Sequence, residues 1–249
     1  MIGPTDTDSQ RQADATELHG DGARTNERRA VGDGSFVLGK SVEKRPITAV
    51  VLGSGDTTCL LFGVIHGNEP LGGALLDRLK DHLQRDPRRL QGKRVVIIPV
   101  LNPDGLARGT RTNARGVDLN RNFPAASWRP GPRHGEAPAS EPETRALLAA
   151  MRRYRPVRIL SIHSPLHCVN FDGPADDLAA DMARTLRYPL RTSIGYATPG
   201  SLGGYAGEDL YIPTITLELA PRAREDEIWP RLAQAIEEFM SSDAGAVGK

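Results

Sequence analysis

Short apolar runs alternate with helical periodicities along most of the chain. The segments ITAVVLG (47–53), CLLFGVI (59–65) and RVVIIPV (94–100) have the β-branched and aliphatic composition of strands. The last two are apolar almost without interruption, which indicates strands that are buried on both faces. Between them lies an apolar stripe with a four-residue spacing, formed by Leu71, Leu75, Leu79 and Leu83. The order strand, helix, strand predicts the crossover unit of an α/β sheet.

The second half of the chain continues this pattern. VRILSIH (157–163) and IPTITLEL (212–219) are predicted strands, and helices are predicted over 176–187 and at the C-terminal end. The sequence SEPET predicts a further helix start, with Ser140 as N-cap and Glu143 as its capping-box partner. The fold class predicted from these elements is α/β.

Polarity divides the chain into three parts. Residues 1–34 contain scarcely any large apolar residue, which predicts a flexible polar N-terminal tail. Residues 35–240 carry the predicted strands and helices and form one predicted domain, and residues 241–249 are expected to be a frayed C-terminus. The stretch 101–139 is rich in Gly, Pro, Asn and Arg, and we interpret it as a functional loop.

Charge and cysteine content narrow the expected partners and compartment. The 32 basic residues balance 31 acidic residues, so no net field attracts nucleic acid or a membrane surface. Two cysteines give no disulfide framework and fit a reducing compartment. The N-terminus lacks the charged start and apolar stretch of a secretory signal. We therefore expect a cytoplasmic protein with no nucleic-acid or membrane partner, and the oligomeric state stays open.

Metal-binding and acid-base side chains recur where predicted strands end. His66 and His163 each end a strand, and Glu218 lies near the end of another. Ligands bind at the carboxyl ends of strands in an open α/β sheet. Glu69 follows His66 by three residues, and two histidines with one carboxylate form a zinc set that leaves a position for water. An H-x-x-E motif alone is weak evidence, and the combination carries the prediction.

The stretch GVDLNRNFP (116–124) places a guanidinium between two amides, just after Asp118. Such a segment is either a solvated loop with a surface salt bridge or a clamp for an anion. A guanidinium matches the geometry of a carboxylate with two parallel hydrogen bonds. In the company of the strand-end residues, Asn120 and Arg121 are candidates for binding a terminal carboxylate.

Five ordered motifs resemble the zinc metallocarboxypeptidase family. They are HGNEP (66–70), NPDG (102–105), GVDLNRNFP (116–124), SIHS (161–164) and TLEL (216–219). The likeness spans roughly residues 45 to 240, and within the family the chain is most similar to the murein peptide amidases, cytoplasmic recyclers of cell-wall peptide. The resemblance implies a three-layer α/β/α fold around a central mixed, mostly parallel twisted sheet.

The resemblance also implies roles for individual residues. It makes His66, Glu69 and His163 the ligands of one Zn²⁺ and Glu218 the general base that helps zinc-activated water to attack. Asn120 and Arg121 become the carboxylate clamp, and Asp118 the acceptor for the far N–H of the first zinc histidine. The arginine that polarises the scissile carbonyl is expected at Arg111, with Arg108 and Arg115 as alternatives. The tyrosine that covers the substrate is expected at Tyr196, with Tyr205 as the second candidate.

The implied substrate is a small peptide with a free carboxylate. For the murein peptide amidases this is L-Ala-γ-D-Glu-meso-diaminopimelate, cut at the γ-D-Glu to meso-diaminopimelate bond. The second amine and carboxylate of diaminopimelate need polar partners, and His167, Asn170, Asp172 and Glu208 are candidates by position. Three alternatives stay open: an N-acyl amino acid deacylase of the desuccinylase or aspartoacylase type, a zinc carboxypeptidase of other specificity, and a zinc-free carboxylate-binding module.

Overall fold

The computed structural model describes residues 35–241 of the 249-residue chain. The tail predicted over residues 1–34 lies outside the described residues, as does nearly all of the frayed C-terminus predicted over 241–249. Ser241, the one described residue of that C-terminal segment, is the last residue of a helix.

Eight strands form one mixed sheet in the order β1-β2-β4-β3-β5-β8-β6-β7. Strands β4, β3, β5 and β8 are consecutive parallel neighbours, whereas β2 joins β4 and β6 joins β8 in antiparallel fashion. The mixed, mostly parallel sheet and the α/β class are thereby confirmed. The strands are β1 (Phe36–Lys40), β2 (Pro46–Leu52), β3 (Thr57–Gly63), β4 (Lys93–Ile98), β5 (Arg158–His163), β6 (Cys168–Asp172), β7 (Leu190–Arg191) and β8 (Thr214–Glu218).

Helices cover both faces of this sheet. They are α1 (Leu71–Arg85), α2 (Pro103–Arg108), α3 (Pro142–Tyr154), α4 (Asp176–Leu186) and α5 (Glu225–Ser241), with 3-10 turns at Pro87–Leu90 and Leu119–Arg121 and a π-helix at Gly203–Asp209. One apolar cluster joins α1, α4 and α5 to the sheet, and a second joins α3 and the π-helix to the opposite face. This is the expected three-layer arrangement. Within residues 35–241, no helix has both the length and the apolar character required to cross a bilayer.

The leucine spacing predicted helix α1 correctly because the leucines form the face of the helix that packs against the sheet. Leu75, Leu79 and Leu83 are fully buried in the first apolar cluster, and Leu71 packs partly buried against it. Burying one leucine side chain contributes about 1.5–3 kcal/mol. Strands β3 and β4, which α1 connects, are parallel neighbours, as the order of strand, helix and strand predicted.

The predicted capping box at the start of α3 is wrong. The helix begins at Pro142, its N-cap is Glu141, and no side chain caps it by a hydrogen bond. Ser140 Oγ instead donates to Glu141 Oε1 over 2.9 Å. The fully buried Glu143 carboxylate accepts from Val42 N at 3.1 Å and from Asn113 Nδ2 at 3.2 Å. The Glu143 carboxylate therefore accepts hydrogen bonds from distant segments of the chain and not from the start of its own helix, as a capping box would require.

The stretch 101–139 is more ordered than a loop, because it contains α2 and a 3-10 turn and folds back on one buried amide. Asn122 Nδ2 donates to His134 O at 2.8 Å and to Ala137 O at 3.0 Å. Asn122 Oδ1 accepts from Glu141 N at 3.1 Å. The second asparagine of the Asn-Arg-Asn run therefore holds the fold of the segment, while its neighbours face a cavity.

Candidate active site

Strand register brings two candidate residues side by side. His163 is the last residue of β5 and pairs with Glu218, the last residue of the parallel strand β8. Strand β3 lies on the other side of β5, and the chain leaves it through Val64 and Ile65 to reach His66. Three neighbouring parallel strands thus end at one edge, where ligands bind in such sheets.

Helix α2 supports the turn that carries His66. Asn102 Nδ2 donates to Ile65 O at 3.1 Å, while Asn102 Oδ1 accepts from Gly105 N at 2.8 Å. A Cβ on Gly67 would lie 1.9 Å from the carbonyl carbon of Gly105, so the two backbones approach this closely only because residue 67 is a glycine. Asn102 and Gly105 of the NPDG motif thus position the turn that carries His66, a role that the spacing of the motif in the sequence did not reveal.

Three buried side chains converge at this edge. Glu69 Oε1 lies 2.8 Å from His66 Nδ1, and Glu69 Oε2 lies 3.1 Å from His163 Nδ1. The two Nδ1 atoms are themselves 3.2 Å apart. Each residue offers one ligand atom, and these atoms all lie within 4.8 Å of one another. The cluster is thus a set of two nitrogens and one carboxylate directed at a common point.

The spacing of these ligand atoms fits a zinc ion. Tetrahedral ligands that are each about 2.0–2.1 Å from zinc lie about 3.3 Å from one another. The 3.2 Å between the two Nδ1 atoms matches that separation. His66 Nε2 lies 3.1 Å from Asp118 Oδ1, and donating its proton there leaves Nδ1 with the lone pair that a metal needs. The three residues could therefore hold a metal ion.

Both buried carboxylates of this site are stabilised in their charged form. Burial opposes ionisation of Glu69, but hydrogen bonds with His163 and His66 outweigh it and lower the pKa to about 2. Burial likewise opposes ionisation of Asp118, while His66, Arg111 and Arg121 together lower its pKa. At neutral pH the site therefore presents two negative charges to a cation and its surroundings.

Asp118 connects the candidate metal cluster to the candidate carboxylate clamp. Besides His66, it accepts a hydrogen bond from Arg111 Nε at 2.9 Å on Oδ2. It also accepts from Asn120 N at 3.0 Å and caps the 3-10 turn that carries Asn120 and Arg121. One carboxylate thus orients a candidate metal ligand, an arginine and the turn with the proposed clamp.

The three arginines considered for the scissile carbonyl lie in different places. Arg111 lines the cavity, with Nη1 3.5 Å from Glu69 Oε1. Arg108 forms an ion pair with Glu43, and Arg115 Nη1 lies 3.6 Å from Glu141 Oε2. Arg108 and Arg115 do not line the cavity. Of the three, Arg111 alone is within the candidate site.

The cavity beside the metal cluster has a volume of about 220 Å³. Its wall includes His66, Glu69, His163, Glu218, Arg111, Asn120, Arg121 and Tyr196. Asn120 Oδ1 accepts from Leu202 N at 2.9 Å, which leaves the Nδ2 donor for a ligand. Arg121 Nη1 donates to Asn120 O at 2.6 Å. Burial lowers the pKa of Arg121, yet an arginine stays cationic in proteins.

The remaining candidates, Glu218 and the two tyrosines, differ in how far they are buried. Glu218 is 8% exposed, and its Oε2 accepts from Leu166 N at 3.2 Å. Tyr196 is 56% exposed and lines the cavity. Tyr205 lies on the π-helix, packs against the second apolar cluster and is not part of the cavity wall. The geometry therefore favours Tyr196 over Tyr205 as a residue that can contact a ligand.

The floor of the cavity continues beyond these candidates along β6 and β8. Thr216, Asn170 and Asp172 line it, opposite Gly203 of the π-helix. Thr216 was not among the residues considered, and β6 was not predicted as a strand. Its sequence is CVNFD, and the alternation of apolar and polar residues from Val169 to Asp172 was the signal that could have identified it.

Comparisons with known proteins agree with this geometry. Residues 35–179 match the family model described as zinc carboxypeptidase. Murein peptide amidase A of Escherichia coli K12 is 39% identical over 150 residues, which cover 54% of this chain and 61% of the relative. The chain thus spans about three fifths of the length of that curated relative.

Two solved structures extend the comparison to the fold. The crystal structure of murein-tripeptide amidase from Escherichia coli O157 superposes with a TM-score of 0.70 at 30% identity, covering 88% of this chain and 96% of that one. Thrombin activatable fibrinolysis inhibitor gives a TM-score of 0.72 at 21% identity, covering 86% and 69%, and supports the fold alone. The resemblance seen in the five motifs is confirmed, and the chain belongs to the zinc carboxypeptidase family.

Proposed function

We propose that the chain is a zinc-dependent amide hydrolase of murein peptides. It cleaves the γ-D-Glu to meso-diaminopimelate bond of L-Ala-γ-D-Glu-meso-diaminopimelate, and it acts in the cytoplasm in peptidoglycan recycling. The observation that carries the proposal is one small cavity that combines the His66, Glu69 and His163 cluster with Arg121. The murein peptide amidases among the similar proteins support this choice of substrate class.

Arg121 and Asn120 select which amide is cut. The guanidinium of Arg121 pairs with the terminal carboxylate of the substrate, and the free Nδ2 of Asn120 donates a further hydrogen bond. A cavity of about 220 Å³ holds one residue beyond the scissile bond, which favours removal of a terminal residue over cleavage within a protein. Tyr196, at the exposed rim, covers the bound residue.

His66, Glu69 and His163 would hold the zinc ion, which when bound would supply Lewis-acid activation of water and of the scissile carbonyl. Glu218 then acts as general base. Its Oε2 is held by Leu166 N, so Oε1 takes up the proton of the attacking water and passes it to the leaving amine. Arg111 is fixed through Nε by Asp118 and lines the cavity, where its guanidinium stabilises the developing oxyanion.

The test is mass spectrometry of the tripeptide after incubation with the purified protein. We expect free diaminopimelate with the wild type and none with Glu218→Gln, while both bind one zinc per chain. Glu227→Gln, an identical change on an exposed glutamate at the start of α5, serves as the matched control and should leave the activity unchanged. Cleavage by Glu218→Gln at near the wild-type rate would refute the role of this residue.

The same assay separates the alternatives. Release of succinate or acetate from N-acyl amino acids, with the tripeptide left intact, would support a deacylase. Release of C-terminal residues from unrelated peptides would support a zinc carboxypeptidase of other specificity. Purified protein without stoichiometric metal would support the zinc-free binding module.

A further inference from the structure

The turn between β5 and β6, residues 164–167, supplies two backbone donors to the candidate site. Ser164 N donates to Glu69 Oε2 at 3.2 Å, and Leu166 N donates to Glu218 Oε2 at 3.2 Å. Within residues 35–241, Leu166 N is the one hydrogen-bond donor that reaches the Glu218 carboxylate. The orientation of this side chain therefore depends on where the 164–167 turn lies.

The last residue of the turn has an unfavourable backbone conformation. His167 has a φ of +51°, in the left-handed region that residues with a Cβ rarely adopt. Its backbone N lies 3.4 Å from Leu219 O, which is a long distance for a hydrogen bond. A backbone of this kind persists only where the surrounding structure fixes it. The support is therefore expected from the side chain of His167.

The imidazole of His167 packs edge-on against the ring of Tyr188. The two ring centroids are 4.3 Å apart and the ring planes meet at 88°, which is the T-shaped arrangement that aromatic pairs favour. His167 is exposed to solvent and does not line the catalytic cavity. Its ring therefore supports the turn from outside the cavity.

Tyr188 is in turn anchored to the body of the domain. It follows α4, is half-buried and packs against the first apolar cluster. Burial raises the pKa of its hydroxyl, and a hydrogen bond with the backbone of Ala220 opposes that rise. Ala220 follows closely after Glu218, the last residue of β8. Tyr188 thus connects the two segments next to Glu218, the turn through its ring and the strand end through its hydroxyl.

The sheet fixes the backbone of Glu218 but not its carboxylate. Strand β8 pairs with β5 on one side and with β6 on the other, so Glu218 lies between His163 and Cys168. The side chain can still rotate about its own bonds, and Leu166 N holds its outer end. Misplacing a reacting group by about 1 Å can lower a rate about 100-fold. A small movement of the 164–167 turn would therefore misplace the carboxylate while the sheet stays intact.

We propose that Tyr188 is a positioning residue for Glu218 that acts through the ring of His167 and the 164–167 turn. The inference rests on the proposed function, because the orientation of Glu218 affects the rate only if this residue is the general base. Tyr188 does not line the catalytic cavity, and Arg121 binds the substrate carboxylate without it. Loss of the Tyr188 ring therefore lowers kcat and leaves KM unchanged.

Steady-state kinetics with L-Ala-γ-D-Glu-meso-diaminopimelate test this role in two variants that each remove one ring. His167→Asn removes the imidazole, and asparagine tolerates the left-handed backbone. Tyr188→Ala removes the phenol ring. We expect each variant to lower kcat about 10–100-fold and to keep KM within about twofold of the wild type. The double variant should be no slower than the slower single variant, because both changes remove the same contact.

Two further variants serve as controls. Tyr188→Phe keeps the ring against His167 and should restore most of the kcat that Tyr188→Ala loses. Tyr211→Ala removes an exposed tyrosine that does not line the cavity, and it should leave both constants unchanged. The inference would be overturned by a near wild-type kcat in either ring-removing variant, by a rise in KM in place of the fall in kcat, or by losses that multiply in the double variant.

Amide hydrogen exchange separates failure of the inference from failure of the proposed function. No cleavage of the tripeptide by the zinc-loaded wild type would refute the proposed function. Exchange of the Leu166 amide, followed by NMR, then decides the inference by itself. We expect this exchange to be at least about tenfold faster in His167→Asn and Tyr188→Ala than in the wild type, while the amides of β5 keep their protection. Unchanged exchange at Leu166 would overturn the positioning of Glu218 by Tyr188.

Discussion

Asp118→Asn tests how the candidate metal site is held. The carboxylate accepts from two side-chain donors, His66 Nε2 on Oδ1 and Arg111 Nε on Oδ2. Asparagine has nearly the same shape, but one of its two ends is an NH₂ group that can only donate. Whichever way the amide turns, one of the two donors faces another donor. The variant therefore keeps the shape of the site and loses one charge-assisted hydrogen bond.

The size of the effect follows from that loss. Hydrogen bonds to charged groups contribute about 1.5–3 kcal/mol, or roughly 10- to 150-fold in an equilibrium constant. If the lost contact is that of His66, its Nδ1 is no longer kept free of a proton, and zinc affinity falls. Replacing such a partner of a metal-bound histidine lowers metal affinity or activity by about 10–100-fold. The two estimates agree.

The assay is competition for zinc between the purified protein and a chromophoric chelator at fixed pH. Asp104→Asn is a suitable control, because Asp104 is a buried carboxylate that also accepts from several donors, including Ser41 Oγ at 2.7 Å and Glu43 N at 2.9 Å. That variant should lower the thermal midpoint and leave the zinc affinity of the folded protein intact. Zinc affinity within twofold of the wild type together with an unchanged kcat/KM would contradict the reasoning, because an Asp118→Asn variant that keeps the His66 contact must lose the Arg111 contact.

Three further predictions concern substrate binding, packing and pH. Arg121→Ala should lower kcat/KM about 10–100-fold for peptides with a free terminal carboxylate and leave amidated peptides unchanged, and an equal loss for both would count against the clamp. Gly105→Ala should cost about 1–3 kcal/mol in thermal unfolding, because the new Cβ would lie 2.7 Å from Thr112 O, whereas Gly204→Ala, with its nearest atom at 3.3 Å, should cost less. Asp172→Asn should stabilise the protein increasingly as the pH rises from about 4 through about 6. The folded-state pKa of about 6 lies above the usual value, so ionisation of Asp172 destabilises the folded wild type by about 3 kcal/mol at most. A difference in unfolding midpoint between Asp172→Asn and the wild type that does not change with pH would contradict this prediction.

The sequence predicted the elements whose signal is local. The leucine stripe of α1 and the continuous apolar runs of β3 and β4 are visible in the sequence because burial acts on neighbouring residues along one element. The H-x-x-E spacing and the ordered motifs likewise indicated the residues that form the metal cluster. The resemblance supplied the roles, which the distances in the structure make chemically reasonable.

What the sequence did not predict depends on partners far along the chain. Glu143 reads as half of a capping box, but its carboxylate meets Asn113 and the backbone of Val42. Asn122 reads as part of a polar run and instead holds the 131–141 segment. The sequence gives no reason for Gly203 and Gly207 of the π-helix, because the atoms that a Cβ at these positions would meet belong to Asp172 on another strand. Such contacts have no signature in a single sequence.

The pairing of His163 with Glu218 also sets how the site can open. Both residues lie on one hydrogen-bonded ladder, which continues with Leu219 N donating to His163 O at 2.8 Å. Buried strands of this kind exchange their amide hydrogens only when the whole domain unfolds. His163 and Glu218, the proposed metal ligand and the proposed base, therefore keep their spacing throughout the lifetime of the folded state. We therefore expect substrate access to depend on the exposed rim around Tyr196 and not on separation of these two strands.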